Sequence, residues 1–236
     1  PGEQTAVFGD ALRRLANAAT YLFQDGSRYW YSTQATVTKI AEDRASQFAR
    51  EPDRLHAEVA KRLQQKFGNR ADFARIHVLP GSPADVPDDL EARLVVLDLA
   101  DAYAKDGKSA AEVKATEILE SRGTAPRLFR NTLVFLAPDR SRVQDLEDGA
   151  KRYLAWQSIV DDSEKLNLDP NQKRQAESRR RDAESTLDNR IPEAYIWVLS
   201  PRQEKPSSPI TFERVKVSGQ EGLAARVSKK LRNEEQ

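Results

Sequence analysis

Cysteine and methionine are both absent from this chain of 236 residues, and only two histidines, His56 and His77, are present. Without cysteine there are no disulfides, no thiolate metal sites and no thiol redox chemistry. Two histidines so far apart in sequence do not make a His-rich metal site. No apolar run approaches the roughly 20 residues that span a bilayer, and no charged-then-apolar leader opens the chain. A cytoplasmic protein with no membrane partner is therefore expected. An excess of one charge is missing too. The 38 basic and 37 acidic residues leave a formal net charge of +1, which removes any global argument for nucleic-acid binding and leaves only local patches. With no methionine and Pro1 in first place, the chain is expected to be a piece of something longer, with missing motifs lying upstream.

What is present suffices for a core: 39% of residues are hydrophobic, while 32% are charged and require long solvated faces. The length allows one large or two small domains. Val7, Leu12, Leu15 and Ala19 are spaced for a short amphipathic helix. Tyr21 to Phe23 and Tyr29 to Tyr31 flank Gln24-Asp25-Gly26-Ser27, and Asp-Gly between β-prone runs is a strong hairpin signal because glycine tolerates positive φ. Thr33 to Phe48 reads as a second helix with Val37, Ile40 and Ala41 inward. Glu51-Pro52-Asp53 breaks it, and Leu55, Val59, Leu63 and Phe67 continue at helical spacing until Gly68-Asn69. Helix, hairpin, helix, helix is the order of a winged-helix-like module.

Beyond it the pattern changes. Ile76 to Leu79 is a short strand, and Arg93 to Leu97, Thr132 to Leu136 and Tyr195 to Leu199 are apolar runs of the kind buried on both faces. Ser109 to Arg122 is a helix stopped by Gly123. Asp169-Pro170 reads as an N-cap with proline at the first helical position, so helices over Arg142 to Leu166 and from Pro170 to about Arg190 pair as a helical hairpin. Strand, helix, strand, helix pair, strand implies right-handed crossovers and parallel pairing. Phe212 to Val217 is an edge-strand candidate. The expected fold class is α+β: a winged-helix-like module over residues 1–70, then an α/β domain over 71–236 with a mainly parallel sheet and a projecting helical hairpin at about 139–190.

No complete catalytic motif is present, and the chain is not expected to be an enzyme by itself. Lys105-Asp-Gly107-Lys108-Ser109 follows a strand and precedes a helix, the context of a phosphate loop. Ala102, however, stands where a P-loop needs glycine to wrap the phosphates. Asp98 mimics a Walker B acid but precedes the Gly-Lys-Ser, and Leu99 replaces the second acid. A polar loop with a helix N-cap at Ser109 is the plainer reading. Asp88-Asp89 and Asp161-Asp162 look exposed and lack the supporting ligands of a metal site.

The hairpin supports two readings. Arg28 with Tyr29 and Tyr31 could form a basic, aromatic wing on a nucleic-acid backbone, with Lys39 and Arg44 adding phosphate contacts from the next helix. Alternatively, alternation puts Tyr21 and Phe23, like Tyr29 and Tyr31, on one face and Trp30 on the other, and the aromatics simply pack. Arg179-Arg180-Arg181 is a candidate partner contact, set among Glu177, Asp182 and Glu184 as on a solvated helix face.

Four ordered blocks resemble a known family: Ala11-Leu-Arg-Arg-Leu-Ala16; Ala19-Thr-Tyr-Leu-Phe23 with Ser27-Arg-Tyr-Trp-Tyr-Ser-Thr-Gln34; Arg127-Leu-Phe-Arg-Asn-Thr-Leu-Val-Phe-Leu-Ala-Pro138; and Tyr153-Leu-Ala-Trp-Gln-Ser158. From about Phe8 to Pro201 the chain is similar to the C-terminal half of large AAA+-type ATPases known only as a domain of unknown function (DUF499). These occur with bacterial and archaeal phage-defence and DNA-modification systems of the phage-growth-limitation and BREX types. The resemblance implies an ATP-binding core upstream of Pro1, with ATP and Mg as cofactors of the parent protein and none in this part. It implies DNA or other subunits of such a system as partners. Because the P-loop lies elsewhere, no nucleotide-binding residue carries over. A purely structural, assembly role within that ATPase is the alternative, and a cryptic nucleotide site using Lys108 and Asp98 a third.

Overall fold

The structure is a computed structural model that describes residues 5–19, 21–25, 28–31, 36–106, 109–205 and 208–234. Its order is α1 (Thr5–Ala18), β1 (Leu22–Asp25), β2 (Arg28–Tyr31), α2 (Val37–Phe48), α3 (Pro52–Lys66), β3 (Arg75–Val78), β4 (Arg93–Val96), α4 (Ala110–Glu120), β5 (Leu133–Pro138), α5 (Arg140–Asp161), α6 (Pro170–Ala194), β6 (Tyr195–Arg202), β7 (Thr211–Lys216) and α7 (Leu223–Glu234). The fold is mixed α and β. Its two compact units are not contiguous along the chain: one takes Pro1–Leu55 with Gly149–Thr186, the other His56–Asp148 with Leu187–Gln236. The expected division at residue 70 follows chain order, whereas these units draw on segments distant in sequence.

In the first unit β1 and β2 form an antiparallel ribbon closed by the pair Asp25 and Arg28; the expected turn residues Gly26 and Ser27 lie outside the described residues. The register sets Phe23 opposite Trp30 and Leu22 opposite Tyr31. The register thus pairs Phe23 with Trp30, where alternation read strand by strand set them apart, because a two-residue connection pairs odd positions of β1 with even positions of β2. The Thr36 side chain accepts from the Lys39 amide and caps α2, supplying one of the partners that a helix start lacks. Val37 and Ala41 pack with Ile159, Leu168 and Ala176, flanked by Ile40, Trp156, Val160 and Leu166. The inner face expected for α2 is therefore its buried face, and it rests on the facing ends of α5 and α6. Asp169 caps α6 as its sequence implies, its Oδ1 accepting from the Asn171 and Gln172 amides at 2.7 and 2.9 Å.

The second unit carries a five-stranded sheet in the order β3-β4-β5-β6-β7. The first three strands are parallel; β6 runs antiparallel to β5, and β7 antiparallel to β6. The expectation of a mainly parallel sheet is corrected here. A single helix, α4, returns the chain to the end of the sheet where β4 began, so β5 starts there and runs parallel. Two long helices, α5 then α6, carry the chain out and back to the end where β5 finished, so β6 must run the other way. On one face α4 contributes Ala111, Ala115, Ile118 and Leu119 against Val95, Leu97, Leu133, Phe135, Trp197 and Leu199. Burying each large side chain of that cluster stabilises the fold by roughly 1.5–3 kcal/mol. Leu94, Val96, Leu136 and Val198 are buried as well, which accounts for the continuous apolar runs.

One charged side chain organises this unit. Arg127, fully buried, donates to five carbonyls: Ile118 at 2.8 Å, Val86 at 2.8 Å, Pro87 at 3.0 Å, and Pro83 and Ser121 at 3.3 Å. Ile118 and Ser121 belong to the C-terminal end of α4, where carbonyls run out of helical partners. Pro83, Val86 and Pro87 belong to the proline-rich loop, which Arg127 thus ties to the helix. Asp88 completes the arrangement by accepting from the Leu128 and Phe129 amides at 2.8 and 2.9 Å. Its carboxylate is buried, not exposed as the Asp88-Asp89 pair suggested. Despite that burial, the two amides and the arginines Arg127 and Arg122 hold its pKa below the usual carboxylate range.

Candidate nucleic-acid interface

Within the first unit, Thr38, Ala41, Glu42 and Ala45 recur at helical spacing along α2 and present one face. Arg152, Ala155 and Trp156 do the same on α5, and Arg179 faces them from α6. Together they line a cleft of about 420 Å³. Three of its lining positions, Ala41, Ala45 and Ala155, are alanine, which leaves room between the helices. Trp156 is part-buried, packing on the core of this unit while lining the cleft.

The charges around the cleft are unevenly satisfied. The Lys39 ammonium lies 3.1 Å from Asp43 and 3.9 Å from Glu42, and the Asp43 contact raises its pKa. Arg44 reaches Asp162 at 3.0 Å. Asp162 also accepts from Lys165 at 2.9 Å, and Lys165 first, then Arg44, lowers its pKa. Arg180 donates to Glu184 at 2.9 Å, one helical turn on. Arg152 and Arg179 differ: both are exposed, and neither has a carboxylate partner among the described residues. A guanidinium without a carboxylate keeps its planar fork available for phosphate or carboxylate oxygens. An indole in the same cleft adds a surface on which a base or other flat group can stack.

The candidate residues read from sequence therefore divide. Arg28 is exposed on β2 and Tyr29 part-buried beside it; the side chain of Tyr31 lies outside the described residues. Lys39 and Arg44 are engaged by carboxylates of their own unit. Arg179, Arg180 and Arg181 do not form one cluster, because consecutive helical residues point about 100° apart. Arg179 enters the cleft, Arg180 pairs along its helix, and Arg181 is exposed. Arg152 and Trp156 were not singled out as site residues from sequence. Their spacing with Ala155 was the available signal, and Trp156 lies in one of the blocks that carry the family resemblance.

The second unit holds the other chemistry considered from sequence. Asp98 caps a short turn, its Oδ1 accepting from the Ala100 amide at 3.0 Å, and His56 Nδ1 lies 3.8 Å from the same oxygen. Gly107 and Lys108 lie outside the described residues. Ser109 precedes α4 but its hydroxyl accepts from the Ala104 amide at 3.2 Å, closing the loop instead of capping the helix. Among the described residues no group of three or more His, Asp or Glu is placed to hold a metal ion. None of their helices is long and apolar enough to cross a membrane. Compared with known proteins, the chain is matched by no family model, no curated protein and no solved structure.

Proposed function

We propose that this chain is a non-catalytic binding region of an AAA+-type ATPase of phage defence or DNA modification, of the kind its four sequence blocks resemble, and that its first unit binds DNA. The observation that carries this reading is a cleft lined by Trp156 and by two guanidiniums, Arg152 and Arg179, that have no carboxylate partner among the described residues. The ribbon with exposed Arg28, preceded by α1 and followed by α2 in the same unit, supports a winged-helix-like reading of that part. ATP and Mg belong to the parent protein in this reading, and the region contributes positioning only.

The test is DNA affinity, single-stranded and duplex, measured by fluorescence anisotropy at several salt concentrations. Phosphate contacts make affinity fall as salt rises. Replacing both Arg152 and Arg179 by alanine removes two such contacts and should lower the slope of log K against log salt by up to about 2. Salt-independent binding, or a double variant with the affinity and slope of the parent, refutes the DNA reading.

A second reading, assembly within the parent ATPase, is favoured by α1. Val7, Phe8, Leu12 and Leu15 are each 40–57% exposed along that one helix. An apolar stripe of this kind marks an interaction surface more often than a solvated one.

A further inference from the structure

Resting on the DNA reading of the first unit, we propose that its cleft takes up one unstacked base of a DNA strand, with Trp156 stacking on the base and Glu42 selecting guanine. The cleft holds about 420 Å³, within the roughly 300–1,000 Å³ of pockets that hold small ligands. One nucleotide can enter it. A duplex cannot, because its base faces are covered by their neighbours in the stack. A part-buried indole lining a recess stacks on a base that has left the helix. Single strands, ends and mismatches release a base at least cost.

The cleft carries both signs of charge, on different helices. Arg152 on α5 and Arg179 on α6 supply guanidiniums, and Glu42 on α2 supplies a carboxylate. The Glu42 side chain is 63% exposed, and Lys39 lies 3.9 Å from it but 3.1 Å from Asp43. Arg44 and Arg180, next in sequence to lining residues, are paired with Asp162 and Glu184. A ligand made of phosphate alone would bring like charge to Glu42. A nucleotide instead carries phosphate at one end and N–H donors on its base at the other. Guanidiniums bind phosphate oxygens, while a carboxylate accepts hydrogen bonds and donates none.

Among the bases, guanine matches a carboxylate best. It sets two donors side by side, N1–H and the N2 amino group, one for each carboxylate oxygen. Cytosine and adenine place an acceptor beside their amino group, and thymine has one N–H between two carbonyls. In each of these a lone pair of the base faces a carboxylate oxygen. Bidentate contacts of this kind are what discriminate one base from another.

The test uses the full chain and fluorescein-labelled DNA in anisotropy titrations. The probes are an oligothymidine strand, the same strand with one central guanine, the same strand with hypoxanthine there, and the guanine strand annealed to its complement. The guanine strand should bind tighter than oligothymidine by about fivefold or more, and tighter than its own duplex. Hypoxanthine keeps N1–H but lacks the amino group, and should lose most of that gain. In Glu42→Gln, an exchange at an exposed position, the affinities of the guanine, hypoxanthine and thymidine strands should converge. The fluorescent base 2-aminopurine at the central position should be quenched on binding, as stacking on Trp156 requires. Equal binding of the guanine and thymidine strands would overturn the proposal. So would a duplex bound as tightly as the strand, a guanine preference that survives in Glu42→Gln, or 2-aminopurine that brightens or does not change. With binding that still weakens as salt rises and on loss of Arg152 and Arg179, those results would leave the DNA reading standing. Absence of salt-dependent binding to every probe would overturn both.

Discussion

Removing the guanidinium of Arg127 should damage the second unit more than any surface change. In Arg127→Met the side-chain volume is nearly kept, but five carbonyl oxygens lose their donor, two of them at the end of α4 and three in the proline-rich loop. The buried Asp88 carboxylate, 3.9 Å from Arg127 Nη1, loses a neighbouring charge while keeping its two amide donors. Summing five charged hydrogen bonds would overstate the loss, because part of each is recovered by water entering the loop. The relevant comparison is a buried charge pair broken from one side, which costs about 3–5 kcal/mol. For a domain of this size each kcal/mol corresponds to roughly 2–4 °C of Tm, so a shift of roughly 6–20 °C is expected. Thermal unfolding followed by circular dichroism is the assay, with Arg127→Lys as the control. Lysine keeps the charge but offers three donors from one compact ammonium in place of a planar fork of five, so it should recover less than half of the loss. A methionine variant within about 1 kcal/mol of the parent, or a lysine variant equal to it, would refute the view that fork geometry at Arg127 holds this loop to α4.

His77 should make stability depend on pH above the carboxylate range. Burial first, then Arg93 and Arg75, lowers its pKa below the usual value, and its Nε2 lies 3.2 Å from Arg93 Nη1, which needs an acceptor there. The unfolded chain therefore binds a proton at a pH where the folded chain does not. Stability should be fully present above about 6.5 and fall as pH drops from there toward the folded pKa. Urea midpoints at about pH 7.5 and 5.5 should separate for the parent and converge for His77→Gln, which retains an acceptor; an unchanged separation would locate the effect elsewhere. Tyr195→Phe should destabilise by about 1 kcal/mol, since the fully buried hydroxyl donates to the Leu97 carbonyl at 3.1 Å and the ring stays in place. A urea titration showing no loss would mean that this carbonyl finds another donor.

Local periodicity and turn chemistry were well written into the sequence, and long-range pairing was not. The N-cap at Asp169, the inner face of α2 and the apolar runs of β4, β5 and β6 could be placed because each depends on residues a few positions apart. The direction of β6 depends on how many long helices precede it and where they return the chain, and no local pattern states that. The pairing of Phe23 with Trp30 likewise follows from the length of the connection between β1 and β2. The candidate site was legible in part for the same reason. Arg28, Lys39, Arg44 and Arg179 are visible as basic residues, but whether each is free depends on carboxylates brought in from elsewhere. Asp162 is distant in sequence from Arg44, and nothing near Arg152 announced that it would face Arg179 without a partner. The burial of Arg127 and Asp88 was hidden by charge itself, which in a single sequence reads as surface.

The two helices that reverse the sheet carry one more implication, for chain length. The amide of Asp139, just before α5, donates to the carbonyl of Ala194, the last residue of α6, at 2.8 Å. The excursion between them begins and ends at one point. A segment whose ends already touch can lengthen or shorten at its far turn without moving either neighbouring strand. Each doubling of such a loop costs only about 0.6 kcal/mol in closure entropy. Length added along this excursion would leave the β5–β6 register untouched, while its far turn is held to the first unit by buried Leu168 and by the pairing of Asp162 with Arg44.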